Sequence, residues 1–364
     1  MKTYELPMTR DYVRHWGLPK AFQELLQNAI ESTAPFEHEF YDCGYGKTGL
    51  AIRSAGVKLS ATSLLLGSTS KASDDSKIGS FGEGYKIALL VLTRLGHDPV
   101  VVNDGVRWTT TFAASATFSA DVLHIEEWVD PDSEGAGLAF HIEGLSDEDV
   151  KTITATCLQM QNEESIGKVI TCPQGDILFG RSGELFVNGL YVCATEFTHS
   201  YNIKPAFLKL ERDRQAVSGF ELSWVTKEMW FTVNEPHLRK HIAKLIAEDA
   251  PDLKYANHGA PNSIKEACLD HFTEIAGKDA RLAGSPEEVK QLKEAGVANP
   301  VYYNTTLHGC VTAASSYTAP PPVIVLAPSI ILQDWYDRNK KYMKRLPAVG
   351  FKKLLEDSAK WKTK

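Results

Sequence analysis

The sequence predicts an α+β protein in which helices cover one face of a mixed, mostly antiparallel sheet. A second α/β domain and a helical C-terminal region follow. Apolar residues recur at helical spacing over residues 18–32 and 85–95, which predicts two amphipathic helices. Short β-like runs joined by glycine-rich links lie between and after them, which indicates antiparallel hairpins. We predict three regions with boundaries at 1–145, 146–250 and 251–364.

Length and composition agree with a folded protein of several domains. The chain has 364 residues, of which 43% are hydrophobic and 23% charged, so it is neither disordered nor fibrous. The net charge of −7 argues against attraction of the whole surface to nucleic acid or to anionic membranes. The six cysteines form no Cys-x-x-Cys pair, which indicates reduced thiols and no structural zinc site.

No segment has the character of a secretion signal or a membrane span. Residues 1–10 contain no apolar core of signal-peptide length, and the most apolar stretch, 323–332, is short and contains Pro328. We therefore expect a cytoplasmic protein without a transmembrane segment.

The first region is predicted as a hairpin and further strands around two helices. Strands at 37–41 and 49–53 flank a glycine-rich link that suits a hairpin, and Gly96 ends the helix over 85–95. Further strands of the same sheet are predicted at 100–103, 107–113, 116–128 and 138–142.

The later regions mix both kinds of element. A helix is predicted over 147–160, strands at 176–179 and 184–192, and a helical pattern over 222–250 that contains Pro236. Asn188-Gly189 lies between apolar runs and is a strong hairpin signal. C-terminal helices are predicted at 286–295, 333–345 and 351–362, with a proline-rich spacer at 320–322.

Two short motifs have residue types suited to phosphate chemistry. Glu24 and Asn28 are four residues apart on the first helix, so both project from one face. The second motif, Gly79-Ser-Phe-Gly82-Glu-Gly84-Tyr-Lys86, directly precedes an apolar helix. Its glycines leave backbone N–H groups available to an anion, and the helix N-terminus favours negative charge. The motif lacks the Gly-Lys-Ser/Thr ending of a P-loop.

Together and in this order, the motifs resemble those of the GHKL (Bergerat) ATP-binding fold of gyrase B subunits, HtpG-type chaperones, sensor histidine kinases and MutL. Glu24-Leu-Leu-Gln-Asn28-Ala29 matches the first family motif, and Gly79–Lys86 matches the lid motif. Within that superfamily the chain most resembles the phage rapid-lysis A (rIIA-like) proteins. The likeness covers roughly residues 18–222, and it identifies 1–145 as a GHKL-type ATP-binding domain and 146–250 as a transducer-like domain.

The resemblance implies a magnesium-dependent ATPase. Glu24 would activate the attacking water, Asn28 would bind Mg²⁺, and Arg212 or Arg214 would reach the γ-phosphate from the second domain. Lys204 and Lys209 are further candidates for that basic contact. The residues implied to bind the nucleotide are Asn28, Ser54, Gly56, Ser70, Lys71, Gly79, Phe81, Gly82, Glu83, Gly84, Tyr85 and Lys86.

The sequence departs from the family at the predicted adenine contact. The family places an Asp at the end of the strand after the first helix, and here Ser54, two residues before Gly56, takes that position. An alternative, Asp42-Cys-Gly44-Tyr-Gly46, falls in the hairpin link, and we prefer Ser54. The family Gly-Thr pair is replaced by Gly137-Leu138.

The C-terminal tail is strongly basic. Between Arg338 and Lys364 there are ten Lys and Arg residues and two acidic ones, interleaved with aromatic residues. Such a tail can bind nucleic acid, an acidic partner or a membrane surface, or it can dock on the acidic remainder of its own chain.

Two functional hypotheses follow from these patterns. In the first, the chain binds and hydrolyses ATP and couples its nucleotide state to domain movement or homodimer formation. In the second, it is a non-catalytic interaction protein on the same scaffold, such as a phage factor that acts on a host protein or on DNA in the host cytoplasm.

Overall fold

The computed structural model describes residues 1–31, 36–65, 83–208, 218–321, 328–343 and 345–358. The chain folds into two compact units. The first consists of residues 1–238 and 250–255, and the second of residues 239–249 and 256–364. The predicted boundary at 145/146 falls within the first unit. None of the helices in the described ranges combines the length and the apolar character that a membrane crossing requires.

Seven strands of the first unit form one sheet, and every neighbouring pair in it is antiparallel. In spatial order they are β1 (Lys2–Thr9), β6 (Ala120–Val129), β5 (Val106–Ser115), β4 (Val100–Asn103), β7 (Leu138–Leu145), β3 (Lys47–Ser54) and β2 (Phe36–Gly44). The short hairpin between β2 and β3 sets the register in which Asp42 pairs with Thr48 and Phe36 with Ser54.

Helices α1 (Leu18–Ile30), α2 (Gly84–Arg94) and α3 (Asp147–Ala155) pack on one face of this sheet. Their apolar residues join those of the strands in one core, in which Phe22, Leu89 and Leu50 are fully buried. Each such side chain contributes about 1.5–3 kcal/mol when it leaves water. This layered arrangement confirms the predicted fold class.

A smaller sheet of five strands follows in the same unit. In spatial order they are β11 (Leu190–Ala194), β10 (Glu184–Val187), β12 (Ser200–Ile203), β9 (Gly175–Phe179) and β8 (Lys168–Cys172). Only β10 and β12 are parallel, and Asn188 and Gly189 form the predicted hairpin with positive φ angles of 52° and 81°. Helix α4 (Glu163–Ile166) precedes this sheet, and α5 (Gly219–Phe231) follows it.

The second unit is mainly helical in its described part. It contains most of α6 (Pro236–Ala247), followed by α7 (Asn262–Ala276), α8 (Pro286–Glu294), α9 (Thr305–Thr312), α10 (Pro328–Asn339) and α11 (Arg345–Ser358). Two short parallel strands, β13 (Arg281–Leu282) and β14 (Pro300–Val301), flank α8. Helices α10 and α11 contact each other through Trp335, Tyr336 and Phe351.

Several predicted elements differ in extent from the observed ones. The helix predicted over 147–160 ends at Ala155, because Cys157 is extended and bridges to Leu190. The helical pattern over 222–250 is two helices, since Pro236 begins the second. The strand predicted from residue 116 starts at Ala120, and the helix predicted at 333–345 runs instead over Pro328–Asn339. The helix predicted at 351–362 begins already at Arg345 and is described as far as Ser358, and residues 359–362 lie outside the described ranges. Strand β1 was not predicted.

A buried carboxylate joins residues 250–255 to the smaller sheet. Asp252 has no exposed surface and accepts hydrogen bonds from the backbone N–H groups of Thr198 and His199 and from the Tyr201 hydroxyl. The Thr226 hydroxyl donates to the Asp252 carbonyl at 2.9 Å. Burial and the neighbouring Asp252 raise the pKa of Tyr201 well above its ordinary value, so the phenol stays a donor.

We expect Asp252→Ala to lower the free energy of unfolding by about 3 kcal/mol, because it leaves three donors, two of them buried, without their acceptor. Urea unfolding followed by tryptophan fluorescence measures the change, since Trp230 donates to Tyr201 in the same network. The matched control is Asp132→Ala, which removes an exposed carboxylate of the same unit. Equal stability losses in the two variants would contradict a structural role for Asp252.

Candidate functional site

Helix α1 presents a polar face that is unusually buried. Glu24 is only 6% exposed, and the Asn28 side-chain amide donates to the Glu24 carbonyl at 2.8 Å. That bond fixes the orientation of the amide group and leaves its oxygen as the atom suited to a cation. The predicted pair therefore lies on one helix face, as its spacing requires.

The Glu24 carboxylate lies against the first residue of α2. A Cβ atom built on Gly84 would be 2.3 Å from Glu24 Oε2 and 3.5 Å from Glu24 Cβ, so no other residue fits position 84 without displacing Glu24. The N-cap residue Glu83 makes no side-chain capping bond to α2. The two motifs therefore meet, and a carboxylate is brought to the positive end of a helix.

The next two residues of α2 hold the segment that precedes the glycine cluster, residues 57–65, which we call the strap. The Tyr85 hydroxyl donates to the Ser63 carbonyl at 2.9 Å, and the Lys86 ammonium donates to the carbonyls of Ser63 and Leu65. Lys86 is fully buried, and burial lowers its pKa while the neighbouring Glu83 raises it. Burial also raises the pKa of Tyr85 to about 12. The Lys86 ammonium thus contacts backbone oxygens of the strap.

The other end of the strap is attached to the sheet. Asn103, the last residue of β4, accepts from the Leu59 N–H at 2.8 Å and donates to the Leu59 carbonyl at 2.9 Å. Lys58 forms an ion pair with Asp104 at 3.2 Å. The strap therefore connects the end of β4 to the first turn of α2.

Ser54 and Gly56 lie beside the point where the strap begins. Ser54 is 5% exposed and ends β3, where it pairs with Leu138 of β7. Gly137, with a φ of +76°, packs so closely that a Cβ atom there would be 2.8 Å from both the Ser54 carbonyl oxygen and the Gly56 nitrogen. The residues at the two departures from the family pattern are thus neighbours.

The alternative residue Asp42 lies on β2, next to the beginning of β3. Asp42 pairs with Thr48. Thr48 precedes Ser54 by six residues on β3, a separation of about 20 Å along a strand. Its carboxylate accepts from the Gly44 N–H within the hairpin. The strap begins at the Ser54 end, so the contacts favour Ser54 and Gly56 over Asp42 as neighbours of α2.

Part of the predicted site lies outside the described residues. This applies to Ser70, Lys71, Gly79, Phe81, Gly82, Lys209, Arg212 and Arg214. Lys204 is described, and its ammonium donates to the Pro173 carbonyl at 2.8 Å.

Further polar residues of α1, which are not among the predicted site residues, are also buried. Gln27 is 2% exposed and donates to Glu31, which is 7% exposed. The Gln27 oxygen is buried and has no hydrogen-bond partner within the described ranges. Gln23 donates to the Tyr191 carbonyl of β11 at 2.8 Å. The i, i+3, i+4, i+7 spacing of Glu24, Gln27, Asn28 and Glu31 is the signal that could have revealed this face.

The oxygen donors of this site suit a hard cation whose remaining ligands are water molecules and phosphate oxygens. Glu24 and Asn28 offer a carboxylate and an amide oxygen, the ligand types that Mg²⁺ accepts in an octahedral shell completed by phosphates and water. Among the described residues, no group of three or more His, Cys, Asp or Glu side chains could hold a metal ion.

No protein-family model and no curated protein matches the chain. Among solved structures, the chain is similar to the ATPase and transducer domains of DNA topoisomerase II from Balamuthia mandrillaris. The TM-score is 0.34 and the sequence identity 15%, and the match covers 69% of this chain and 70% of that chain.

The contact between Gly84 and Glu24 can be tested by a double-mutant cycle. We expect Gly84→Ala to lower the free energy of unfolding by about 1–2 kcal/mol, because its methyl group overlaps the Glu24 carboxylate. In a Glu24→Ala background the same change should be neutral or stabilising, since alanine favours helices over glycine. Urea unfolding of the four proteins gives the coupling energy.

Gly219→Ala is the matched control. Gly219 also begins a helix, and a Cβ atom there meets no atom within 4 Å. A cost of Gly84→Ala that is unchanged by Glu24→Ala contradicts the contact.

Proposed function

We propose that this chain is an ATPase of the GHKL type that binds ATP with magnesium and hydrolyses it slowly. The observation that carries the proposal is the contact of the Glu24 carboxylate with Gly84, the first residue of α2. It brings together a carboxylate, the Asn28 amide and a helix N-terminus, which are the groups that the two sequence motifs supply.

Each group has a distinct task in the proposed reaction. Bound Mg²⁺ would neutralise charge on the phosphate oxygens. The Asn28 oxygen would hold that ion, and the Glu24 carboxylate would orient a water molecule and accept its proton as the water attacks the γ-phosphate. N–H groups of the first turn of α2, which the N-cap side chain Glu83 does not cap, would donate to phosphate oxygens, where the helix dipole favours negative charge.

The base would lie at the Ser54 end of β3. The strap joins this end to the first turn of α2, so one ligand can span both. A serine hydroxyl can accept a hydrogen bond from the adenine amino group as the family carboxylate does, although without its charge.

The contact between Gln23 and β11 supports a route from nucleotide to domain movement. Gln23 directly precedes Glu24 on α1, and its amide donates to the Tyr191 carbonyl of the smaller sheet. A shift of α1 on nucleotide binding would therefore act directly on that sheet. Contact of Arg212 or Arg214 with the γ-phosphate stays a prediction.

The biological setting is also proposed. Five features stay predictions from the sequence: kinship with phage rapid-lysis A proteins, homodimer formation, a host protein partner, a location in the host cytoplasm and nucleic-acid binding by the basic tail. The three predicted regions, 1–145, 146–250 and 251–364, would serve as the ATP-binding, transducer-like and C-terminal parts of this protein.

A non-catalytic interaction protein is the second candidate. Two observations favour it: Lys86 contacts strap carbonyls, and Ser54 stands where the family has an aspartate. Titration calorimetry with ATP, with and without Mg²⁺, separates the candidates, because a scaffold used only for its shape produces no binding heat.

We expect Glu24→Gln to bind ATP with an affinity within about threefold of wild type but to lose at least about 100-fold in hydrolysis rate, because the amide cannot accept the water proton. Calorimetry measures the binding, and phosphate release measures the turnover. Glu37→Gln on the edge strand β2 is the control, since Glu37 is exposed and on a different element. Wild-type turnover in Glu24→Gln would exclude Glu24 as the base.

Asn28→Ala tests the cation site separately. We expect it to weaken ATP binding at least about tenfold when Mg²⁺ is present and to leave the weak binding in EDTA unchanged, because only the metal-held state uses the amide oxygen. An equal loss in both conditions would show that Asn28 acts through packing. Circular dichroism of the variant checks that α1 remains folded.

A further inference from the structure

The last residue of strand β3 presents a hydroxyl to the helix-covered face of the seven-stranded sheet. Residues two apart on a strand point to the same face of the sheet. Leu50 and Ile52 lie in the core that the strands share with the helices, so Ser54, two residues after Ile52, faces the same side. Ser54 is 5% exposed, and within the described ranges its hydroxyl forms no hydrogen bond. That hydroxyl is therefore available to a ligand.

The neighbours of Ser54 on this face do not offer a second such group. Leu138 of β7 pairs with Ser54, and Asn103 of β4 pairs with Leu138, so the three side chains form a row across three strands. Leu138 is apolar. The Asn103 amide is already bonded to both the N–H and the carbonyl of Leu59. Ser54 is therefore the one side chain of this row whose polar group is not engaged within the protein.

The carboxylate next to this row is also engaged. Asp104 follows Asn103, and its carboxylate accepts a hydrogen bond from the Gly135 N–H at 2.7 Å. Its other oxygen forms the ion pair with Lys58 at 3.2 Å. Asp104 therefore does not supply a free carboxylate to a ligand at the Ser54 end of β3.

A hydroxyl and a carboxylate recognise a purine ring differently. An ionised carboxylate only accepts hydrogen bonds, so it pairs with the amino group of adenine and repels the oxygen that guanine carries at the same ring position. A hydroxyl can accept or donate, because its proton rotates to suit the partner. The same hydroxyl therefore accepts from the adenine amino group and donates to the guanine oxygen.

We propose that the site takes purine nucleoside triphosphates without selecting adenine, and that Ser54 sets this tolerance, so that GTP is a substrate as well as ATP. The inference rests on the proposed function, because it requires a nucleotide whose base lies at the Ser54 end of β3. The groups assigned to Mg²⁺ and the triphosphate, at Glu24, Asn28 and the first turn of α2, serve both nucleotides alike. Water attacks the γ-phosphate of GTP, and GDP and inorganic phosphate form.

Titration calorimetry of the full-length protein with ATP and with GTP, each with Mg²⁺, tests the inference. We expect the two dissociation constants of the wild type to agree within about fivefold, because one hydroxyl serves both bases. Ser54→Asp should weaken GTP binding at least about tenfold relative to ATP binding, since a carboxylate then faces the guanine oxygen. The matched control, Ser119→Asp in the exposed turn between β5 and β6, should leave the wild-type ratio unchanged.

Ser54→Ala removes the hydroxyl without adding charge, and circular dichroism checks that it is folded. It should weaken ATP and GTP binding to the same extent. Three results would overturn the inference and leave the ATPase proposal standing: a wild-type preference for ATP of more than about fivefold, an unchanged ratio in folded Ser54→Asp, or unchanged affinities in Ser54→Ala. Binding of neither nucleotide by the wild type would contradict the proposed function itself, and this inference with it.

Discussion

The candidate site depends on how closely α1 approaches the beginning of α2. Position 84 has no side chain, so the Glu24 carboxylate can lie directly against the backbone of the first helical turn. A methyl group there would displace the carboxylate from the point where the polar groups of the two helices meet. This one contact places a carboxylate within the field of the α2 N-terminus and turns two motifs far apart in sequence into neighbours.

The polar face of α1 is buried although hydrogen bonds satisfy only part of it. Gln23, Glu24, Gln27 and Glu31 are each less than one-tenth exposed on a helix whose other side fills the apolar core. Burying such groups costs free energy unless each finds a partner, and the Gln27 oxygen has none within the described ranges. Burial of polar side chains at a loss of stability is typical of functional sites, where these groups are held in position for binding or catalysis.

Sequence patterns predict well those elements whose own periodicity defines them. They predict poorly the elements that depend on partners far away in the sequence. Helices α1 and α2 and strand β4 have apolar patterns that fix them locally, and they occur as predicted. Strand β1 is not predicted, because it forms by pairing with β6, which lies more than a hundred residues later in the sequence. The same limit applies to the site: helical spacing pairs Glu24 with Asn28, but only the folded chain brings Gly137 to Ser54.

The strap has a mechanical consequence. It is attached at Leu59 to the end of the seven-stranded sheet and at Ser63 and Leu65 to the first turn of α2, with few residues between. Because so few residues lie between its two attachment points, the strap cannot lengthen much when α2 moves. An outward displacement of α2 must therefore either pull on the end of β4 or break the hydrogen bonds of Lys86. In the second case the buried Lys86 ammonium would lose both of its backbone acceptors in the strap at once.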